Sequence, residues 1–213
     1  MPDIDLDPSL AKDRAGLVLF DPLHGYLHPA DPDKEANLRK WRVRENMQRL
    51  VEGARANGVT VFYAFGDHAP DGADVASRLT DTDMDLNPWA GRERRFMPTH
   101  RRGDAGAAIA AEVAPTETDV MVPKHRWSAF FRTHLELQFR CRGLKTVILA
   151  GGSTDVGIVS TAFAARDLDF GLVIVRDCCF SHRGPNNDFL MDRIFPRMAR
   201  VMTADQAVAL MAP

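Results

Sequence analysis

The chain has 213 residues, 45% of them hydrophobic, with 27 basic and 29 acidic side chains and a formal charge of −2. That balance fits one globular domain over residues 1–213 with a sizeable core, and it excludes the strongly basic composition of a nucleic-acid-binding surface. No apolar run approaches the ~20 residues of a membrane span, the polar start shows no apolar signal-peptide core, and three cysteines make no disulfide framework, so a cytoplasmic protein is expected.

The run GLVLF (16–20), entered by glycine and closed by Asp21, predicts a first strand. Leu38, Trp41, Met47, Leu50, Val51 and Ala54 recur at helical spacing and predict one helix over 34–56, ended at Asn57-Gly58. VTVFYAF (59–65) is β-branched and aromatic and predicts a second strand. Residues 66–103 are rich in Gly, Pro, Asp and Arg without a period. A loop that long in a compact domain serves function or subunit contact. DAGAAIAAEVA (104–114) predicts a helix stopped by Pro115, and TDVMVP (118–123) a third strand. Residues 128–143 predict a helix capped by Ser128 and stopped by Gly143. KTVILA (145–150) predicts a fourth strand, 156–169 a helix of small residues, and GLVIVRD (171–177) a fifth strand. A helix broken near Pro196, a sixth strand in RVMT and a last helix in ADQAVALM complete the chain.

Strands alternating with helices imply a parallel sheet with right-handed crossovers. Continuous apolar strands imply helices on both faces. Such a doubly wound α/β sheet places its site at the C-terminal strand ends. Asp21, Pro123-Lys124, Gly151–Gly157 and Asp177–Ser181 all fall there. Alone, Asp21 is an ordinary turn residue and Lys124 an ordinary strand-end cation. On one sheet edge they can hold each other ionised or share a proton. The turn GGSTDVG (151–157) is either a plain strand-to-helix turn or a source of backbone N–H donors, at Gly152, Ser153 and Gly157, for developing negative charge.

The ordered segments LVLFD, VPKHRWSAFFRTHLELQFRCRGLKTVILAGG, STDVGIVSTAFAARDLDFGLVIVRD and CCFS, over about residues 14–211, resemble the isochorismatase-like hydrolases. That family includes nicotinamidases, N-carbamoylsarcosine amidases and ureidoacrylate amidases. The resemblance implies a three-layer Rossmann-like sandwich on a parallel six-stranded sheet, a homodimer or homotetramer, a small-molecule substrate, and a cis peptide at Gly152–Ser153. Cysteine members of the family use an Asp–Lys–Cys triad. Asp21 and Lys124 fall on its first two positions and Gly157 on the third. Leu23 stands where the family often has Gln. The metal pattern of nicotinamidases is not reproduced, since His68 directly follows Asp67, and neither a metal nor another cofactor is expected.

Glycine at the third position leaves three readings. In true isochorismatases glycine also replaces the cysteine and a vinyl ether is cleaved without a covalent intermediate. By that likeness Asp21 is the general acid, Lys124 positions it or stabilises the substrate anion, and Gly157 leaves room for substrate or water. The chain could instead be a non-catalytic relative that binds a small ligand, or an amidase whose nucleophilic cysteine was changed to glycine. Cys178 and Cys179, at the end of the fifth strand, read as buried hydrophobes before nucleophiles, and Cys141 as structural. His24, His28 and His125 flank the site, His125 being the first to test as a proton shuttle. Trp89 and Trp127 line a pocket or pack in the core. Arg92, Arg94, Arg95, Arg101 and Arg102 form surface or subunit contacts, or a fork for a substrate carboxylate.

Overall fold

The computed structural model describes residues 8–74, 100–183 and 185–212. Six strands form one sheet: β1 (Ala15–Phe20), β2 (Val61–Gly66), β3 (Val120–Lys124), β4 (Thr146–Gly152), β5 (Gly171–Phe180) and β6 (Arg200–Met202). Their order is β3-β2-β1-β4-β5-β6, and every pairing is parallel. The order reverses between β1 and β4, so the crevice of this Rossmann-like sheet opens beyond the ends of those two strands.

The side-chain alternation of β1 divides the core. Leu17 and Leu19 join a cluster on one face with Tyr63, Ile148 and Val173. The helices α3 (Val43–Ala56) and α7 (Ala204–Ala209) cover it. Val18 and Phe20 join the opposite face with Phe62, Val122 and Leu149, under α4 (numbered in chain order, Leu135–Cys141) and α5 (Val159–Asp167). Burial on both faces is why these strands read as unbroken apolar runs. Two short helices, α1 (His24–Leu27) and α2 (Pro32–Trp41), precede α3, and α6 (Asn186–Phe189) follows β5.

Three expected helices are altered. The helix over 34–56 is two, α2 and α3, broken at Arg42, whose φ of 52° is left-handed. Asp31 starts α2 by accepting the N–H groups of Asp33 and Lys34, with Pro32 in the first turn. The segment 104–114 is no α-helix but two 3-10 turns, Ala105–Ala107 and Ala111–Val113. Its backbone is taken by the stretch after β1: His24 N–H donates to Ala108 and Ala110 N–H to Pro22. Those bonds replace the helical ladder that alanine content alone would favour. The helix expected from Ser128 begins only at Leu135. Arg132 is left-handed at φ 53°, and Ala129 N–H is drawn to the Thr161 hydroxyl on α5. β5 runs on to Phe180, so Cys178 and Cys179 lie within a strand.

Candidate active site

Asp21 follows β1 with a left-handed φ of 44°, its N–H donating to Ala64 of β2. That turn sends the carboxylate across the end of β2. There Oδ1 accepts the Gly66 N–H at 2.8 Å, and Oδ2 accepts from Lys124 Nζ at 2.8 Å. Lys124 belongs to β3, two strands away, and pairs in register with Gly66. Both charged side chains are 6% exposed. A pair so far from water exists because each member satisfies the other.

His100 is a member of this site that sequence reasoning missed. Its Nε2 lies 4.0 Å from Asp21 Oδ2, and its ring meets Tyr26 edge-on. Gly66 permits this, since a Cβ there would stand 2.5 Å from the His100 ring. His100 and Tyr26 also line a cavity of about 210 Å³, with Lys34 and His182 on its other walls. The signal available in sequence was weak: a histidine at the end of a long aperiodic loop, beside an arginine pair.

The turn after β4 is built as a clamp. Gly151 has φ 122°, and a Cβ on it would lie 2.0 Å from the Phe20 carbonyl oxygen. The Gly152–Ser153 peptide is cis, as the family resemblance implied. A π-helical turn, Thr154–Ile158, follows. The Ser153 carbonyl accepts the N–H groups of Val156, Gly157 and Ile158 at 3.3, 3.0 and 3.2 Å. The expected role of Gly157 as a free backbone donor is therefore not met, because its N–H is spent inside the turn. Asp155 ties the turn to the segment after β5, accepting from Ser153, from the Ser181 hydroxyl and from Asn186.

The space above Gly157 is filled. A Cβ built there would stand 2.1 Å from Cε1 and 2.3 Å from Cζ of Phe20. The expectation that glycine leaves room for substrate or water is corrected on that ground. The same ring carries the Lys124 ammonium 4.1 Å from its centroid. Phe20, unremarkable in sequence as the last apolar residue of a strand, thus lies between the Lys124 ammonium and the place of a side chain at Gly157.

The other expected residues lie elsewhere. His125 follows Lys124 onto the opposite side of β3; its Nε2 pairs with Asp74 at 3.2 Å, and its ring meets His68. His24 stacks on His28, which pairs with Glu112. Trp127 is 55% exposed and forms no part of the core. Arg101 pairs with Asp104 and Arg102 with Asp67, so both arginines brace the chain locally. Trp89, Arg92, Arg94 and Arg95 lie outside the described residues. Cys178 and Cys179 are buried on opposite faces of the sheet, and burial pushes both thiols up, Cys179 to about 12. Among the described residues no group of three or more His, Cys, Asp or Glu is arranged to hold a metal, and no helix is long and apolar enough to cross a membrane.

A Rossmann-like sandwich with a buried carboxylate–ammonium pair at the C-terminal ends of β1 and β3 is an arrangement suited to acid–base chemistry on a small molecule. The chain belongs to the isochorismatase family: the isochorismatase domain matches residues 15–206. It is 31% identical to the isochorismatase family protein YwoC of Bacillus subtilis strain 168, over 91% of this chain and 92% of that one. The ureidoacrylate amidohydrolase RutB of Rhizobium rhizogenes is 28% identical over 66% of this chain, which spans only 58% of that relative. Among solved structures, an isochorismatase family protein from Burkholderia thailandensis superposes with a TM-score of 0.75 at 26% identity, covering 95% of this chain and 97% of that one.

Proposed function

We propose that this chain hydrolyses a small molecule at a vinyl-ether or related C–O or C–N bond, by direct attack of water assisted by Asp21 and without a covalent intermediate. One observation carries the reading. Asp21 and Lys124 form a buried pair 2.8 Å apart, at the position where residue 157 offers no side chain and the Phe20 ring takes its volume. Acyl transfer to the enzyme needs a nucleophilic side chain, and neither buried cysteine suits that part. The buried Asp21–Lys124 pair supports the acid–base half of that chemistry.

Asp21 carries one proton through the cycle. For a vinyl ether it gives the proton to the enol carbon and recovers one from the water that adds to the cation; the hemiketal so formed then collapses to a carbonyl compound, its C–O bond breaking as the hydroxyl proton passes to the departing alcohol oxygen. For a C–N bond it takes the proton from the attacking water and returns it to the leaving nitrogen. Either way bulk acid is not consumed. Lys124 keeps the carboxylate aimed, together with the Gly66 N–H, and balances its charge when ionised. His100, 4.0 Å from Oδ2, is placed to meet substrate or to relay that proton through a water. The amidohydrolase activity for which RutB of Rhizobium rhizogenes is named supports the reaction class. The fit of Phe20 over Gly157 favours a site in which glycine belongs over an amidase that has lost its cysteine.

The test is a hydrolysis screen over enol ethers, amides, carbamoyl compounds and imines, with Asp21→Asn alongside. Asparagine keeps the shape and removes the group that gives and takes the proton, and loss of a general acid or base costs ~10²–10⁴-fold in rate. A substrate turned over equally by the Asn variant, with an unchanged pH profile, would reduce Asp21 to a turn residue. Absence of any turnover would favour a ligand-binding relative.

A further inference from the structure

We propose that Phe20 is a positioning residue of the Asp21–Lys124 pair, and that Phe20 and Gly157 form one steric unit in which the ring stands where a side chain at 157 would go. The catalytic meaning of this rests on the acid–base reading above. Its steric content does not.

Lys124 presents three N–H donors from a residue 5% exposed. One is taken by Asp21 Oδ2. An ammonium so buried needs further negative potential, and the face of an aromatic ring supplies it. The Phe20 centroid lies 4.1 Å from Nζ. Lys124 is thus held between a carboxylate and a ring that come from adjacent residues, Phe20 at the end of β1 and Asp21 just after it, so the end of that strand fixes both.

Phe20 has no freedom to leave. Its backbone pairs with β2 on one side and β4 on the other, at Ala64 and Gly151. Its carbonyl oxygen occupies the place of a Cβ on Gly151, and its ring the place of a Cβ on Gly157. The residue is 2% exposed, so the ring cannot swing into water. Two glycines, Gly151 at the end of β4 and Gly157 in the turn that follows, therefore clamp its two ends. An aromatic residue at 20 and any side chain at 157 exclude each other, and the chain holds the arrangement that positions Lys124 while forgoing a nucleophile. A cysteine introduced at 157 alone would have to displace the ring that steadies the lysine.

Two measurements test this without a substrate. The first is a thermal cycle over Phe20→Leu, Gly157→Ala and the double variant. Gly157→Ala should lower the melting temperature by about 5–10 °C through overpacking. The double variant should lose clearly less than the sum of the single losses. The second, which stands even if Gly157→Ala does not fold, is labelling of Lys124 by an amine-reactive acetylating reagent, mapped by mass spectrometry against exposed Lys12. Phe20→Leu should raise Lys124 labelling about 10-fold, the range of a desolvated cation–π contact. Phe20→Tyr should restore protection, and Phe62→Leu, in the same core further down the sheet, should leave it unchanged. Additive melting losses, or Lys124 labelling indifferent to Phe20→Leu, would overturn the proposal. A failed hydrolysis screen would not touch either result. Additive losses in an enzyme whose turnover depends on Asp21 would remove Phe20 and keep the acid–base reading.

Discussion

Replacing Lys124 with methionine isolates the Asp21 carboxylate. Methionine keeps most of the lysine stem and places a thioether against the Phe20 ring, a favourable contact, so packing over β2 survives. What is lost is the cation. Asp21, its side chain 6% exposed, retains the Gly66 N–H at 2.8 Å and, among the described residues, loses its one charged partner at hydrogen-bond distance. Removing one member of a buried pair costs about 3–5 kcal/mol, because the other is left uncompensated. In a chain of this size that lowers the melting temperature by about 6–20 °C. The assay is urea unfolding at pH 7, followed by circular dichroism, on wild type, Lys124→Met, Asp21→Asn and the double variant. The double variant should be more stable than Lys124→Met, since it removes the stranded charge. If Lys124→Met unfolds within about 1 kcal/mol of wild type, or the double variant is no better, the pair is not the mutually dependent buried unit described here.

Native alkylation with iodoacetamide should label Cys141, which is exposed, and spare Cys178 and Cys179, because buried thiols held protonated do not react; mass spectrometry should find one adduct per chain, and turnover on any substrate found should persist. Asp155 should contribute to acid stability. Burial alone would raise its pKa, but hydrogen bonds from Ser153, Asn186 and Ser181, with Arg183 nearby, outweigh that and hold the carboxyl below its ordinary value. A lowered folded-state pKa gives stability that is present above about pH 4 and lost as the pH falls through the folded value, so Asp155→Asn should flatten that limb of a stability–pH curve. Gly151→Ala combines a φ of 122° with a Cβ 2.0 Å from the Phe20 carbonyl oxygen. It should abolish soluble expression or lower the melting temperature by more than Gly157→Ala does, since backbone cannot yield as a side chain can.

The four central strands were legible because burial on both faces writes them as apolar runs, and the parallel order followed from the alternation with helices. Asp21 and Lys124 were legible because a polar residue closing such a run has few other reasons to be there. The helix limits were not. Arg42 and Arg132 carry no mark of the left-handed conformation they adopt. The alanines of 104–114 promise a helix that the neighbouring backbone, at Pro22 and His24, dissolves by claiming its hydrogen bonds. Local propensity decides only where tertiary contacts leave it free to do so.

The site was harder to read for the same reason at larger scale. His100 reaches Asp21 only because residue 66 has no side chain, and nothing local to either position announces the other. Phe20 reads as the last core residue of β1, and on the sheet face it shares with Phe62 and Val122 that is true. Its second part, under the Lys124 ammonium and over Gly157, depends on β3 and on the turn after β4. Glycine at 157, taken by itself, looks like a deletion in a catalytic triad. Set against the ring, it is one half of a fit, and the missing side chain is what allows the strand end to hold its lysine. A chain that regained a thiol at 157 would therefore need a smaller residue at 20, and would then have to find another way to steady Lys124.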